Sequence, residues 1–405
     1  MGTTRCCVVG GGPAGMVLGL LLARAGVEVT VLEKHRDFLR DFRGDTVHPS
    51  TLRLLDDLGL GERFAAIPHK TLEQMRMRIG DSTVVAADFR RIPGRHKHIA
   101  MVPQWDFLDL LASAAAGEPS FTLKMCTEVT GVRIERGRAT GVRFVDENGA
   151  SGELTADLTV GCDGRDSVVR RAAGLRQDAF DIPMDVWQVR VPVVPGGDHD
   201  GRVFARFADG QVAVTMDRGE YFQTSYLIRK GDDARLRGHD VGWLRGRLAE
   251  LFGWDDAVLA EIGSWDDVKL LETSMGMLPR WYAEGLLCIG DAAHTMSPVG
   301  GVGVNLAVQD AAAAARILAG PLGRGAVTTR ELARVQRRRK LPAVVAQRMQ
   351  VGEHEMLLRP ALDGELGGVP LPMRMLQRFP VLRGISAYLG AVGVRPERAP
   401  AFARR

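Results

Sequence analysis

The sequence predicts an α/β fold in which a Rossmann-like unit is interrupted by an antiparallel β-sheet and followed by a helical C-terminal region. Three observations predict it. A glycine loop joins the first strand to the first helix, and a second strand, glycine loop and helix recur over about 286–318. Between them a long stretch alternates apolar and polar residues with the period of two of half-buried strands. At 405 residues the chain suits two or three lobes.

The first unit is read from "RCCVVGGGPAGMVLGLLLARAGVEVTVLEKH". Apolar Cys6 to Val9 predicts a strand, Pro13 to Ala25 a helix, and Glu28 to Leu32 the next strand. Gly10, Gly12 and Gly15 place G-x-G-x-x-G at the strand-to-helix junction. Gly10 permits the tight turn, Gly12 lets backbone amides approach a pyrophosphate, and Gly15 lets the helix lie close on the strand. The helix N-terminus adds partial positive charge. Glu33 closes the second strand, where an acid can accept hydrogen bonds from ribose hydroxyls.

These residues indicate a bound dinucleotide. The continuing strand–helix alternation of a nicotinamide dehydrogenase is missing. Instead come the loop "KHRDFLRDFRGDTVHPS", a short helix over Ser50 to Leu58 with Ser50 as its N-cap, and strand-like "QMRMRI" and "STVVAADF".

Three constellations follow. "AMVPQWDFLDLLASAAA" predicts a helix starting near Gln104, with Phe107, Leu108, Leu111 and Ala115 on its apolar face. In "ADLTVGCDGRDSVVRRAAG" a buried strand ends at Gly161, Asp163-Gly164 turns, and Ser167 or Asp166 caps a short helix; Asp163 and Arg165 are expected to point at one place. In "GLLCIGDAAHTMSPVGGVGVNLA" a strand over Leu286 to Ile289 ends in Gly290-Asp291, and a helix runs from about Gly303 to Leu318. A carboxylate at the end of a parallel strand points into the ligand crevice. Two helix N-termini aimed at one ligand imply a long ligand.

The middle of the chain, around "VWQVRVPVV" and "GRVFARFADGQVAVTMDRGEYFQTSYLIRK", predicts an antiparallel sheet with a hairpin turn at Asp209-Gly210. Beyond Arg330 the chain reads as helical, broken near Pro342, and packs either over the first domain or against a partner subunit, which leaves a homodimer open.

Composition excludes other classes. Lys+Arg 53 against Asp+Glu 49 leaves no nucleic-acid footprint, and Arg337 to Lys340 decorates a helix face. Cysteines 6, 7, 126, 162 and 288 have no metal-ligand spacing, so no metal is expected, and they suit a reducing, cytoplasmic setting. No uninterrupted apolar stretch approaches the ~20 residues of a membrane helix.

The glycine loop, "CDGRDSVVR" and "GDAAHTMSPVGGVGVNLA", in this order and across nearly the whole chain, resemble the flavin-dependent aromatic hydroxylases of the para-hydroxybenzoate hydroxylase type. The resemblance implies an FAD-binding domain over 1–74, 100–180 and 273–325, a substrate-binding sheet over 75–99 and 181–272, and a helical region over 326–405. It implies that Gly10, Gly12, Pro13, Ala14, Gly15, Glu33 and Lys34 hold the ADP half of FAD, and that Asp291 binds the ribityl and pyrophosphate region. By the same resemblance Gly303, Val304 and Asn305 present backbone amides to the isoalloxazine, Arg43 and Gln104 contact FAD, and Asp163 lies near the flavin and the incoming nicotinamide.

The implied reaction uses NAD(P)H as a transient co-substrate and molecular oxygen, and hydroxylates an aromatic or polyketide-like small molecule through a hydroperoxide of the flavin. An epoxidase of the same fold, a flavin reductase without an oxygen step and a non-catalytic FAD-binding protein are the alternatives. Pro298, with Gly300 and Gly301, fits a loop that keeps the reactive edge open. His48 is a candidate base for a phenolic proton, whereas His294 suits a structural or cofactor-side role. Trp187, Phe204, Met216, Tyr221, Phe222 and Tyr226 are candidate walls of the substrate pocket.

Overall fold

The structure, a computed structural model, describes residues 2–39, 46–193 and 204–405. Five parallel strands run through the first sheet, in the order Leu286–Cys288, Ser151–Gly161, Gly2–Val9, Val29–Leu32, Phe121–Lys124. Their carboxyl ends are level, because Val9 pairs with both Leu32 and Gly161, and Gly161 with Cys288. Five chain segments therefore leave the sheet at one edge, and that edge is where ligands sit in open α/β sheets. The hairpin of Glu128–Glu135 and Arg138–Val145 joins the same sheet antiparallel to the first half of Ser151–Gly161.

The helices Pro13–Arg24, Gln104–Ala116 and Gly303–Gly323 pack with this sheet into the largest apolar core. The last of them corrects one expectation. Val299–Gly323 is long and apolar enough, by length and composition, to cross a membrane, and 72% of its apolar window is buried inside the fold. It packs between Pro13–Arg24 and Thr329–Glu353, with fully buried Ala311, Ala312, Ala314 and Ala315 allowing close approach.

A second sheet of seven strands runs Lys269–Leu271, Met184–Pro192, Tyr221–Arg229, Gln211–Asp217, Phe204–Ala208, Gln74–Ile79, Ser82–Asp88. It is not wholly antiparallel. Phe204–Ala208 lies parallel to Gln74–Ile79, and this single parallel seam joins strands from two distant segments of the chain. Asp209 and Gly210 form the expected hairpin turn, both with positive φ, as a two-residue turn matched to strand twist requires.

Two further expectations fail. The helix after the first loop starts at Pro49, not Ser50, with His48 as N-cap, because the Ser50 hydroxyl is turned inward and donates to Asn305 Oδ1 at 2.5 Å. The helix Thr329–Glu353 runs unbroken through Pro342. A mid-helix proline costs about 3 kcal/mol. Here side chains on both sides of it are anchored: Arg339 Nε donates to Asp310 at 2.8 Å, and Gln347 Nε2 donates to Gly276 O at 2.8 Å. The break falls later, in a π-helical turn over His354–Leu358.

Candidate functional site

The level strand ends and the underside of the seven-stranded sheet enclose one continuous cavity of about 680 Å³. At its nucleotide pole stand Gly10, Gly12, Pro13, Ala14, Glu33, Lys34, Gln104, Asp163, Asp291, Pro298, Gly303 and Val304. Gly15 lies behind this wall. A Cβ there would come within 2.0 Å of Gly10 O, and one on Gly10, at φ +101°, within 2.5 Å of Cys162 O. The two glycines thus let the helix press on the loop and the loop on the neighbouring strand. Gly12 differs, because a Cβ there would meet no atom within 4 Å. Its side faces the open cavity, so what needs glycine at this point is a ligand rather than the protein.

Two of the helices that open onto the cavity lack both a side-chain cap and an acidic residue in the first turn. Pro13–Arg24 begins after Gly12 and Gly303–Gly323 after Val302, neither with a capping hydrogen bond nor with an acidic residue in the first turn. Orphan amide donors and the positive ends of two helix dipoles therefore face the same space. Glu33 is poised by the loop it serves: its carboxylate accepts from Gly11 N at 2.8 Å and His35 N at 3.1 Å. An anionic, hydroxyl-bearing, elongated ligand fits this pole, and a flavin dinucleotide has that chemistry.

Asp163 and Arg165 both line the cavity but their side chains diverge. The Asp163 carboxylate accepts from Ser167 Oγ at 2.6 Å and Val169 N at 3.1 Å, while Arg165 reaches across to Glu272 O at 2.7 Å. Burial raises the Asp163 carboxyl, against those hydrogen bonds. Ser167 is the cap of the short helix. The side chain of Asn305 is held by Ser50, Thr51 and Ala391 O, away from the cavity. Arg43 lies outside the described residues.

His48 is fully buried outside the cavity wall. Burial lowers it to about 4, opposed by nearby backbone of Gly301, Ala391 and Gly390, though neither ring nitrogen makes an aligned hydrogen bond. A neutral, walled-in imidazole has no route to a substrate proton, so the sequence expectation is corrected. His294 is buried, its Nε2 lying 2.5 Å from Asp310, which also binds Arg339 and Gly290 N.

The opposite pole of the cavity is formed by the sheet face carrying Val186, Gln188, Phe207, Val214, Met216, Gln223, Ser225 and Leu227. Of the aromatic wall candidates, Trp187, Phe222 and Tyr226 occupy the opposite face. They pack in a separate core against Val241–Phe252, with the Trp187 and Trp265 rings 5.0 Å apart. The expectation was out of phase by one residue, which on a strand exchanges the two faces. Tyr221 stands at its strand's start beneath the Arg190 guanidinium, 5.1 Å from the ring centre, and the Phe204 side chain is outside the described residues. Met216 lines the cavity. Sequence reading missed Gln188, Gln223 and Ser225, which the alternation would have exposed had its phase been known, and Glu353, for which no local signal exists.

Residues 3–349 match the family model described as FAD binding domain. The chain is 34% identical over 386 residues to a 6-methylpretetramide 4-monooxygenase of Streptomyces rimosus, covering 94% of this chain and 91% of the relative. It is 27% identical over 336 residues to a 3-hydroxybenzoate 6-hydroxylase of Klebsiella oxytoca, covering 78% and 80%. An anhydrotetracycline hydroxylase structure from S. rimosus shares the fold, with TM-score 0.76 at 23% identity over 98% of this chain and 77% of that one. With a cavity that suits a flavin dinucleotide and a match across most of its length, the chain belongs to the FAD-binding-domain family and is an FAD-dependent monooxygenase of the para-hydroxybenzoate hydroxylase type.

Proposed function

We propose that this enzyme uses NAD(P)H and oxygen to hydroxylate a fused-ring, polyketide-like phenol. The single observation that carries the reading is the continuity of the cavity: backbone amides at one pole and a mostly apolar sheet face at the other enclose one space. The relatives' names, a 6-methylpretetramide monooxygenase and a hydroxybenzoate hydroxylase, support an aromatic substrate.

When bound, FAD supplies electron transfer from the nicotinamide and the activation of oxygen. The chain's part is to bind, orient and dry the site. Gly12 and Ala14 would meet the pyrophosphate, Glu33 the ribose and Asp291 the chain between phosphate and ring. The amides at Gly303 and Val304 would stabilise negative charge on the reduced ring. The Pro298–Gly301 turn leaves space at the edge where substrate arrives. Val186, Phe207, Val214 and Leu227 exclude water, and Gln188, Gln223 and Ser225 offer hydrogen bonds that fix orientation. The five cysteines are unpaired, which suits a reducing compartment.

Anaerobic stopped-flow reduction of the bound flavin by NADPH and by NADH, with and without fused-ring phenols, tests the reading. Acceleration by one class of phenol is expected and names that class. Failure of both nicotinamides under every condition would overturn the assignment and leave a reductase with another electron donor.

A further inference from the structure

We propose that Glu353 is the acid–base residue of the substrate pole, accepting the hydroxyl proton of a phenolic substrate. The proposal rests on the reading of that pole as a phenol site. Glu353 ends the helix Thr329–Glu353 and lines the cavity together with Leu357 and Leu358 of the π-helical turn that follows. These two leucines belong to the apolar cluster on the cavity face of the seven-stranded sheet. A π-turn inside a helical run is rare and tends to mark functional positions. Here it swings Leu357 and Leu358 under the sheet.

The position is held from both sides. One turn before it, Gln350 grips the Ser297–Val299 loop: Nε2 donates to Ser297 O at 2.9 Å and Val299 O at 2.8 Å, and Oε1 accepts from Ser297 N at 3.1 Å. One residue after it, His354 Nε2 lies 3.0 Å from Ser297 Oγ. Pro298, the residue expected at the flavin's open edge, sits within the loop so gripped. Glu353 is thus fixed at the seam between the sheet and the loop, where a substrate ring would lie.

Its carboxylate has no hydrogen-bond or ion-pair partner among the described residues, unlike Glu33 and Asp163, whose oxygens are engaged by the protein. An acid left unpaired in a mostly apolar cavity awaits a donor from outside. Burial alone raises it to about 7. The charged and titratable groups nearest in the fold are Arg76 on the sheet, Arg165, Asp163 and Asp291 on the cavity wall, and His354 and Glu355 in the turn that follows, and burial outweighs them. A group so placed can take and return a proton at neutral pH. In the step, the phenolic O–H bond breaks, the proton passes to a Glu353 oxygen, and the O–H electron pair stays on the ring oxygen, enriching the ring for oxygen transfer. The proton returns to product or solvent.

The test uses the holoenzyme with 2-naphthol, a fused-ring phenol whose own hydroxyl ionises well above neutrality. Binding is followed by the flavin absorbance and turnover by product. For the wild type, binding and hydroxylation should both strengthen as pH rises through about 7. Glu353→Gln should lose that pH limb and hydroxylate roughly 100-fold more slowly, with FAD content retained. Glu353→Ala should regain part of its rate with added formate, which a merely structural role would not produce. Glu355→Gln, on the exposed side of the turn, is the control. If 2-naphthol binds the wild type and Glu353→Gln keeps both affinity and pH limb, the proposal falls while the phenol-site reading stands. If 2-naphthol neither binds nor accelerates flavin reduction in the wild type, the phenol-site reading falls and takes this proposal with it.

Discussion

The two poles of the cavity are built from different materials. At the nucleotide pole the working parts are backbone: two uncapped helix starts and a glycine loop pressed so close to its helix that a methyl group at Gly15 would lie 2.0 Å from a carbonyl oxygen. At the substrate pole the working parts are side chains on one face of a sheet, with Gln188, Ser225 and Leu227 turned in and Trp187 and Tyr226 turned out. The first pole is intolerant of any side chain in the wrong place. The second can change its residues while the strands stay paired, and that separation lets one framework serve many ring systems.

The largest expected effect breaks the nucleotide pole. Gly15→Ala forces the helix off the loop, so the protein should be recovered without flavin, if it folds at all. Flavin absorbance per protein chain measures this, and full flavin content in the variant would show that the helix can slide without cost.

Next, Trp187→Ala should cost about 3–5 kcal/mol by emptying the outer core, read by urea unfolding. Its Nε1 donor to Asp233 at 2.6 Å is lost as well. Because the residue faces away from the cavity, ligand selectivity should hold. A changed phenol preference in a stable Trp187 variant would mean that the two faces are coupled.

A pH experiment sharpens the contrast for His48. Its folded-state value of about 4 lies below the ordinary 6.5, so the unfolded chain binds the proton first. The neutral, folded form is favoured above pH 6.5, and stability should fall as pH drops from 6.5 towards 4, by roughly 3 kcal/mol in total. His48→Gln should flatten that part of the wild-type profile. Turnover at pH 8 should barely respond, since the residue is outside the cavity wall.

This division explains what was legible in the sequence. Glycine loops announce themselves because backbone geometry restricts which residues can stand there, and so the strand, loop and helix at Gly10–Gly15 and at Gly290–Gly303 are legible from residue order alone. The sheet's existence was legible from its alternation, but alternation does not say which face is inside. Aromatic residues were expected to line the pocket because aromatic substrates favour them, yet Trp187, Phe222 and Tyr226 found better burial against Val241–Phe252. Pro342 misled in the same way: a local rule predicted a break, and anchors at Arg339 and Gln347, supplied by distant segments, outweighed it. Glu353 could not be foreseen, since what makes it notable is that none of the described residues pairs with its carboxylate in three dimensions.

The smallest predicted effect tests the substrate pole most directly. Ser225 Oγ donates to Gln188 Oε1 at 3.0 Å on the cavity face, and both residues line the cavity. Ser225→Ala removes the donor and leaves the Gln188 amide free to turn towards substrate. The stability loss should be only about 1 kcal/mol, because the strand pairing of Ser225 with Gln188 through the backbone is untouched. The informative change is in KM, which should move up to roughly tenfold for one phenol relative to another while kcat and FAD content hold, as uniform binding predicts. An equal effect on every phenol would mean that this pair merely braces the sheet, and that orientation is set elsewhere on the same face, with Gln223 the next residue to change.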